Sequence, residues 1–229
     1  MNKKKVIIAL DNDNLNDNIQ LVKYLKEEAF AFKLGYEFFF NFGIDGYSKI
    51  KKICPNIFLD LKFHDIPNTV HKGILAIEKL EPIFTTIHIS GGDKMQKFSI
   101  KNKKRKTKIL GVSILTSLNS NQTKKYYNEK NLNKLVKNYV KYAKNNGLDG
   151  IVCSPLELKL LKKEIGNNMI FVVPGIRPLN YNKANDDQER TINPREAIDL
   201  GADYLVIVRP ITSSNNPLKT VLEINESIN

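Results

Sequence analysis

Asp60, Lys62 and Asp65 lie within Phe58-Leu-Asp-Leu-Lys-Phe-His-Asp-Ile-Pro-Asn-Thr69, where an apolar run gives way to a loop. In an extended chain residues 60 and 62 share one face. Pro67 disfavours helix at Ile66 and sends the chain into a loop, which brings Asp65 back toward the same mouth. Acid, base and acid would then share one small space, a costly arrangement unless chemistry uses it. The bare D-x-K-x-x-D spacing is equally compatible with an ion pair at a strand end followed by a solvated Asp.

Other polar residues obey the same positional rule. Apolar runs at 6–10, 31–34, 57–61, 84–89, 109–115, 150–153, 169–173 and 204–208 are continuous and several are β-branched, as in strands buried on both faces. Between them, periodic stretches at 18–28, 46–52, 68–79, 132–145, 156–164 and 194–200 predict helices, with residues 13–17 as a cap for the first. Eight strand-then-helix units predict a (β/α)8 barrel in one domain over residues 1–229, a doubly wound open sheet being the alternative from pattern alone. Asp11, Lys33, Asp60, Lys62, His88, Thr116, Arg177 and Arg209 fall at or just past the C-terminal ends of these runs. A barrel gathers those ends into one face.

Arg209, before Pro210 at the end of the eighth run, offers a fork donor where barrels commonly hold phosphate. The polar connection 179–193 follows the seventh run and carries Gln188, which can close over an anion there; connections this long are lids or disordered segments. Asp11 and Lys33 can bind a sugar hydroxyl and extend the charge array around Asp60 and Lys62, or simply pair with each other. A lone His88 is read as a hydrogen-bonded barrel residue.

Composition narrows the classes. The 229 residues are 41% hydrophobic and 26% charged, close to ordinary globular usage. No stretch approaches a membrane span, and the apolar run at 6–10 is too short for a signal peptide, so a cytoplasmic protein is expected. Cys54 and Cys153 have neither metal spacing nor the density of a disulfide scaffold. The net charge of +12 would suit a nucleic acid or an anionic substrate. Its densest run, 101–108, contains no aromatic residue and reads as a solvated loop or helix end, which disfavours nucleic acid.

Asp60-Leu-Lys-Phe-His-Asp-Ile-Pro-Asn-Thr69 resembles the signature of the orotidine 5'-phosphate decarboxylase family, which carries out the last step of UMP synthesis. Ala9-Leu-Asp11, Phe32-Lys-Leu-Gly35, His88-Ile-Ser-Gly-Gly92, Leu115-Thr-Ser117, Pro174-Gly-Ile-Arg177, Gln188 and Arg209-Pro-Ile-Thr212 resemble its other motifs in the same order, over essentially the whole chain. The resemblance implies decarboxylation of orotidine 5'-phosphate to UMP with no metal or organic cofactor. By the same resemblance Asp11 binds the ribose or base end, Lys33 and Asp60 touch ribose hydroxyls, and Lys62 protonates the carbon that loses carbon dioxide. Thr116 and Arg177 map onto pyrimidine-contacting and phosphate-binding positions, and Ile66, Pro67 and Asn68 onto a substrate-contacting loop. Asp65 and Thr69 are expected to reach into a second subunit's site, which implies a homodimer.

One departure stands out. The family pattern has Gly before the phosphate-binding Arg, whereas this chain has Val208, which tolerates neither positive φ nor close backbone approach as Gly does. Two competing classes remain beside the decarboxylase: a metal-dependent sugar-phosphate lyase or synthase with the same D-x-K-x-x-D spacing, and a basic nucleic-acid-binding barrel. The first needs a carboxylate where this chain has Lys33, whose charge repels a magnesium ion.

Overall fold

The computed structural model describes residues 4–101, 106–178 and 191–229. Its elements run in the order β1 (Val6–Ala9), α1 (Leu15–Leu25), β2 (Ala31–Leu34), α2 (Tyr36–Ile53), β3 (Ile57–Phe63), α3 (Pro67–Glu78), β4 (Phe84–His88) and α4 (Gly92–Ser99). The second half comprises β5 (Lys108–Val112), α5 (Ser120–Tyr127), α6 (Leu132–Asn145), β6 (Gly150–Val152), α7 (Leu158–Ile165), β7 (Ile170–Val173), α8 (Pro194–Asp199), β8 (Tyr204–Ile207), α9 (Arg209–Thr212) and α10 (Pro217–Ser227). The eight strands are parallel and close on themselves, β1 pairing with both β2 and β8. Closure decides for the (β/α)8 barrel over the open sheet.

The continuous apolar runs are explained by burial on both faces. In β1, Val6 and Ile8 join the large cluster between strands and helices, while Ile7 and Ala9 point inward to a smaller cluster with Ala31, Phe58, Phe84, Leu110, Val172 and Val206. Alternation therefore sorts two apolar environments and leaves no polar stripe to read. At the N-terminal end of the barrel the inner cluster is closed by rings: Phe30 stacks on Tyr204 at 4.2 Å, and Phe84 meets Phe58 and Tyr204 edge-on at 5.8 and 5.5 Å.

The first helix begins earlier than its apolar period, at Leu15, because the Asn14 side chain accepts hydrogen bonds from the backbone N–H groups of Asn16 and Asp17. The helix expected at 46–52 is the second part of α2, which starts at Tyr36 and bends at Gly43, where φ is 56°. Aromatic residues at 38, 39, 40 and 42 mask the helical period before that kink. Pro67 occupies the first turn of α3, where its missing N–H costs nothing.

Candidate active site

The C-terminal strand ends surround a cavity of about 500 Å³ lined by Asp11, Lys33, Phe58, Asp60, Lys62, Val152, Pro174, Gly175, Arg177, Val206, Val208, Arg209, Thr212 and Ser213. Lys33 comes from β2, Asp60 and Lys62 from β3, and Arg177 from the segment after β7, on the far side of the barrel from β3. Six of the residues singled out in the sequence for charge thus line one cavity.

Asp60 is the hub. Its side chain is only 9% exposed, and its Oδ2 lies 2.8 Å from Lys62 Nζ and 3.7 Å from Lys33 Nζ. Lys33 Nζ is also 3.7 Å from Asp11 Oδ1, so two carboxylates and two ammoniums form a continuous chain. Burial alone would raise the Asp60 carboxyl, but Lys33, Lys62 and the hydrogen bonds from Lys62 and Thr86 outweigh it and hold the group below the usual carboxylate range. Asp60 is therefore ionised at neutral pH. Gly35 makes room for this chain: a Cβ there would stand 3.2 Å from Lys33 Nζ.

Lys62 has an unusual backbone. Its φ is 40°, left-handed and unfavourable for a residue with a Cβ by roughly 1–2 kcal/mol. The β3–β4 register shifts between Leu59 and Phe63, and the Lys62 N–H leaves the ladder to donate to Thr86 Oγ1 at 2.9 Å. The same hydroxyl donates to Asp60 Oδ1 at 2.8 Å. Thr86 is fully buried and was not singled out by sequence; its only signal was a Thr-Thr pair inside an apolar run. The ring of Tyr36, first residue of α2, lies 5.9 Å from Lys62 Nζ, and its hydroxyl is pushed up by burial and by Asp60.

Asp65 and Thr69 do not line this cavity. They border a neighbouring one of about 510 Å³ with Tyr36, Lys62, His64 and His88, so Lys62 stands between the two. Asp65 is exposed and its Oδ1 accepts from the Ile66 N–H at 2.6 Å. His64 and His88 rings are 5.2 Å apart, and burial, His64 and Lys62 lower the basicity of His88. Ile66 is 68% exposed, Pro67 and Asn68 open α3, and Thr116 sits in a turn after β5 outside the lining of either cavity. Gln188 lies outside the described residues.

On the β7–β8 side of the cavity, Arg177 is 6% exposed and donates to the Ile176 carbonyl at 2.9 Å, while Arg209 opens α9. Val208 has φ −120°, so this position does not require the left-handed backbone that only Gly adopts freely. Its side chain packs on the inner apolar cluster and lines the cavity. Among the described residues no group of three or more His, Cys, Asp or Glu side chains could hold a metal ion, and no helix is long and apolar enough to cross a membrane.

A model of the family described as orotidine 5'-phosphate decarboxylase / HUMPS matches residues 4–224. An orotidine 5'-phosphate decarboxylase of Wolbachia pipientis is 41% identical over 224 residues, 97% of this chain and 98% of that one. One from Staphylococcus saprophyticus is 40% identical over 229 residues, covering 98% of each. The crystal structure of orotidine 5'-phosphate decarboxylase from Lactobacillus acidophilus superposes with a TM-score of 0.84 at 34% identity, covering 99% of this chain and all of that one.

Proposed function

The chain belongs to the orotidine 5'-phosphate decarboxylase / HUMPS family, and from that premise we propose that it converts orotidine 5'-phosphate to UMP in pyrimidine biosynthesis, acting as a single domain in the cytoplasm. The observation that carries this reading is the Lys62 ammonium, 2.8 Å from a buried carboxylate and on the wall of a cavity that also holds two arginines.

Arg177 and Arg209, with Gln188, bind the substrate phosphate; Asp11, Lys33 and Asp60 hold the ribose, Thr116 contacts the pyrimidine, and Ile66, Pro67 and Asn68 contact the substrate. Binding energy from the phosphate, remote from the bond that breaks, holds the pyrimidine carboxylate against a carboxylate of the enzyme. At about 4 Å and an effective dielectric near 20, one such repulsion is about 4 kcal/mol, far short of a difficult barrier. The remainder comes from the transition state. As carbon dioxide leaves, the bonding pair stays on the ring carbon, and Lys62 first stabilises that charge and then gives it a proton. Asp60, 2.8 Å away, keeps the ammonium aimed.

No step calls for a metal or an organic cofactor. Lys33 supports this, because its ammonium stands 3.7 Å from both Asp11 and Asp60, where a divalent cation bound by those carboxylates would be repelled.

The enzyme acts as a homodimer in which Asp65 and Thr69 serve the site of the second copy. Two features support this: Asp65 borders the cavity outside Lys62 rather than the one with Asp60, and the first part of α2 exposes Tyr36 and Phe40 one turn apart beside it, with Ile44 exposed just past the kink. Tyr36 and Phe40 stack at 5.7 Å, forming an apolar stripe that a second copy would cover.

The test is loss of orotidine 5'-phosphate absorbance on adding purified protein in the presence of a chelator. Turnover that persists there is expected; activity only on adding a divalent metal, or only on a sugar phosphate, would favour the metal-dependent class instead.

A further inference from the structure

We infer that Thr86 is a positioning residue for the decarboxylation proposed above, on whose reading it rests: one buried hydroxyl sets both the carboxylate and the backbone that aim Lys62. Thr86 lies in β4, one strand away from the charged pair, with no exposed surface. A threonine hydroxyl has one proton and two lone pairs. An ionised Asp60 can only accept and the Lys62 N–H can only donate, so at 2.8 and 2.9 Å the hydroxyl donates to the first and accepts from the second. There is no other proton arrangement that satisfies both contacts.

Each half has a consequence. Fixing Asp60 Oδ1 leaves Oδ2 turned toward the two ammoniums, at 2.8 Å from Lys62 and 3.7 Å from Lys33. Taking the Lys62 N–H supplies the acceptor that the shifted β3–β4 ladder no longer offers, and so makes the left-handed backbone at Lys62 tolerable. Without the hydroxyl, Lys62 would return toward a regular strand, which redirects its side chain. The adjacent Thr85 provides a natural contrast. It is equally buried, yet its hydroxyl has no hydrogen-bond partner among the described residues. A threonine in this strand therefore needs no such network to be accommodated.

The experiment compares Thr86→Val, Thr86→Ser and Thr85→Val for kcat and KM as functions of pH, UMP affinity and thermal stability. Thr86→Val keeps the shape and loses the hydroxyl; its kcat should fall roughly 10- to 100-fold with KM and UMP affinity changed less than about threefold. The acid limb of its kcat profile should move to higher pH, because Asp60 loses a hydrogen bond to its charged form. Thr86→Ser restores kcat and the limb, and Thr85→Val matches wild type.

A kcat for Thr86→Val within about threefold of wild type with an unmoved limb would overturn the inference. So would equal losses in Thr86→Val and Thr86→Ser that follow melting temperature, which describes core packing alone. Stability reads the same hydrogen bond without turnover. The deficit of Thr86→Val should narrow as pH falls below the ordinary carboxylate range, through the depressed value at which the folded Asp60 takes up its proton. A constant deficit overturns the assignment even if wild type fails to decarboxylate, a failure that would count separately against the function.

Discussion

The two ends of this barrel are built to opposite rules. At the N-terminal end Phe30, Phe84 and Tyr204 interlock as rings over an apolar cluster, with Phe58 reaching from that cluster to the wall of the cavity above. At the C-terminal end the same strands deliver Asp11, Lys33, Asp60, Lys62, Arg177 and Arg209 to one cavity, and one residue sits on a backbone its side chain disfavours. The first end stabilises the fold; the second draws on that stability to hold a half-buried chain of alternating charges and a lysine in a left-handed turn. Substitutions at the two ends should therefore move different observables.

The largest effect expected is at the mouth. Lys62→Ala should lower turnover about 10³-fold or more while leaving a folded protein that still binds UMP, as read by decarboxylation rates and ligand titration. Near-normal turnover would remove Lys62 from the chemistry. At the floor, Phe84→Ala should cost about 3–5 kcal/mol in denaturant unfolding while the folded fraction keeps its kcat. A selective loss of kcat there would break the division between the two ends. Arg209→Ala should weaken UMP binding by about 1.5–3 kcal/mol with a smaller change in kcat, since it removes a charge-assisted contact remote from the reacting carbon. An unchanged affinity would take Arg209 out of the phosphate site.

The smallest effect concerns acid. Asp60 is held below its ordinary range in the folded protein, so the unfolded chain binds its proton first as pH falls. Its contribution to stability is fully present above about pH 4 and is lost as pH drops through the folded value. In Asp60→Asn that part of the acid-side decline should vanish from a series of melting curves; an identical decline would show that Asp60 is not depressed.

Much of this was legible in the chain because charge at a strand end has few structural uses. All eight apolar runs are strands, and Asp11, Lys33, Asp60, Lys62, Arg177 and Arg209 share a cavity as their positions required. The D-x-K spacing put Asp60 and Lys62 on one face of a regular strand; the two do meet, but through a bulge and a positive φ that no side-chain period encodes. Thr86 was missed for a related reason. A hydroxyl inside a buried strand looks the same in sequence whether it is used, as at 86, or idle, as at 85. Spacing alone brings Asp65 back toward the mouth it would share with Asp60 and Lys62, whereas it borders the neighbouring cavity, which Lys62 also lines; α3 begins two residues further on, at Pro67. Helix α5 escaped notice since its cap is local, with Asn119 and Gln122 bonding each other's backbone, while its exposed face carries no apolar period.

Closure of β1 onto β8 also governs how the molecule is made. Strand β1 cannot satisfy one of its edges until Leu205, Val206 and Ile207 have been synthesised, seven strands later. Pairing at such separation is slow to form and leaves β1 open in the meantime, so the nascent chain passes through a growing sheet with two unpaired borders and becomes a barrel only once β8 has emerged.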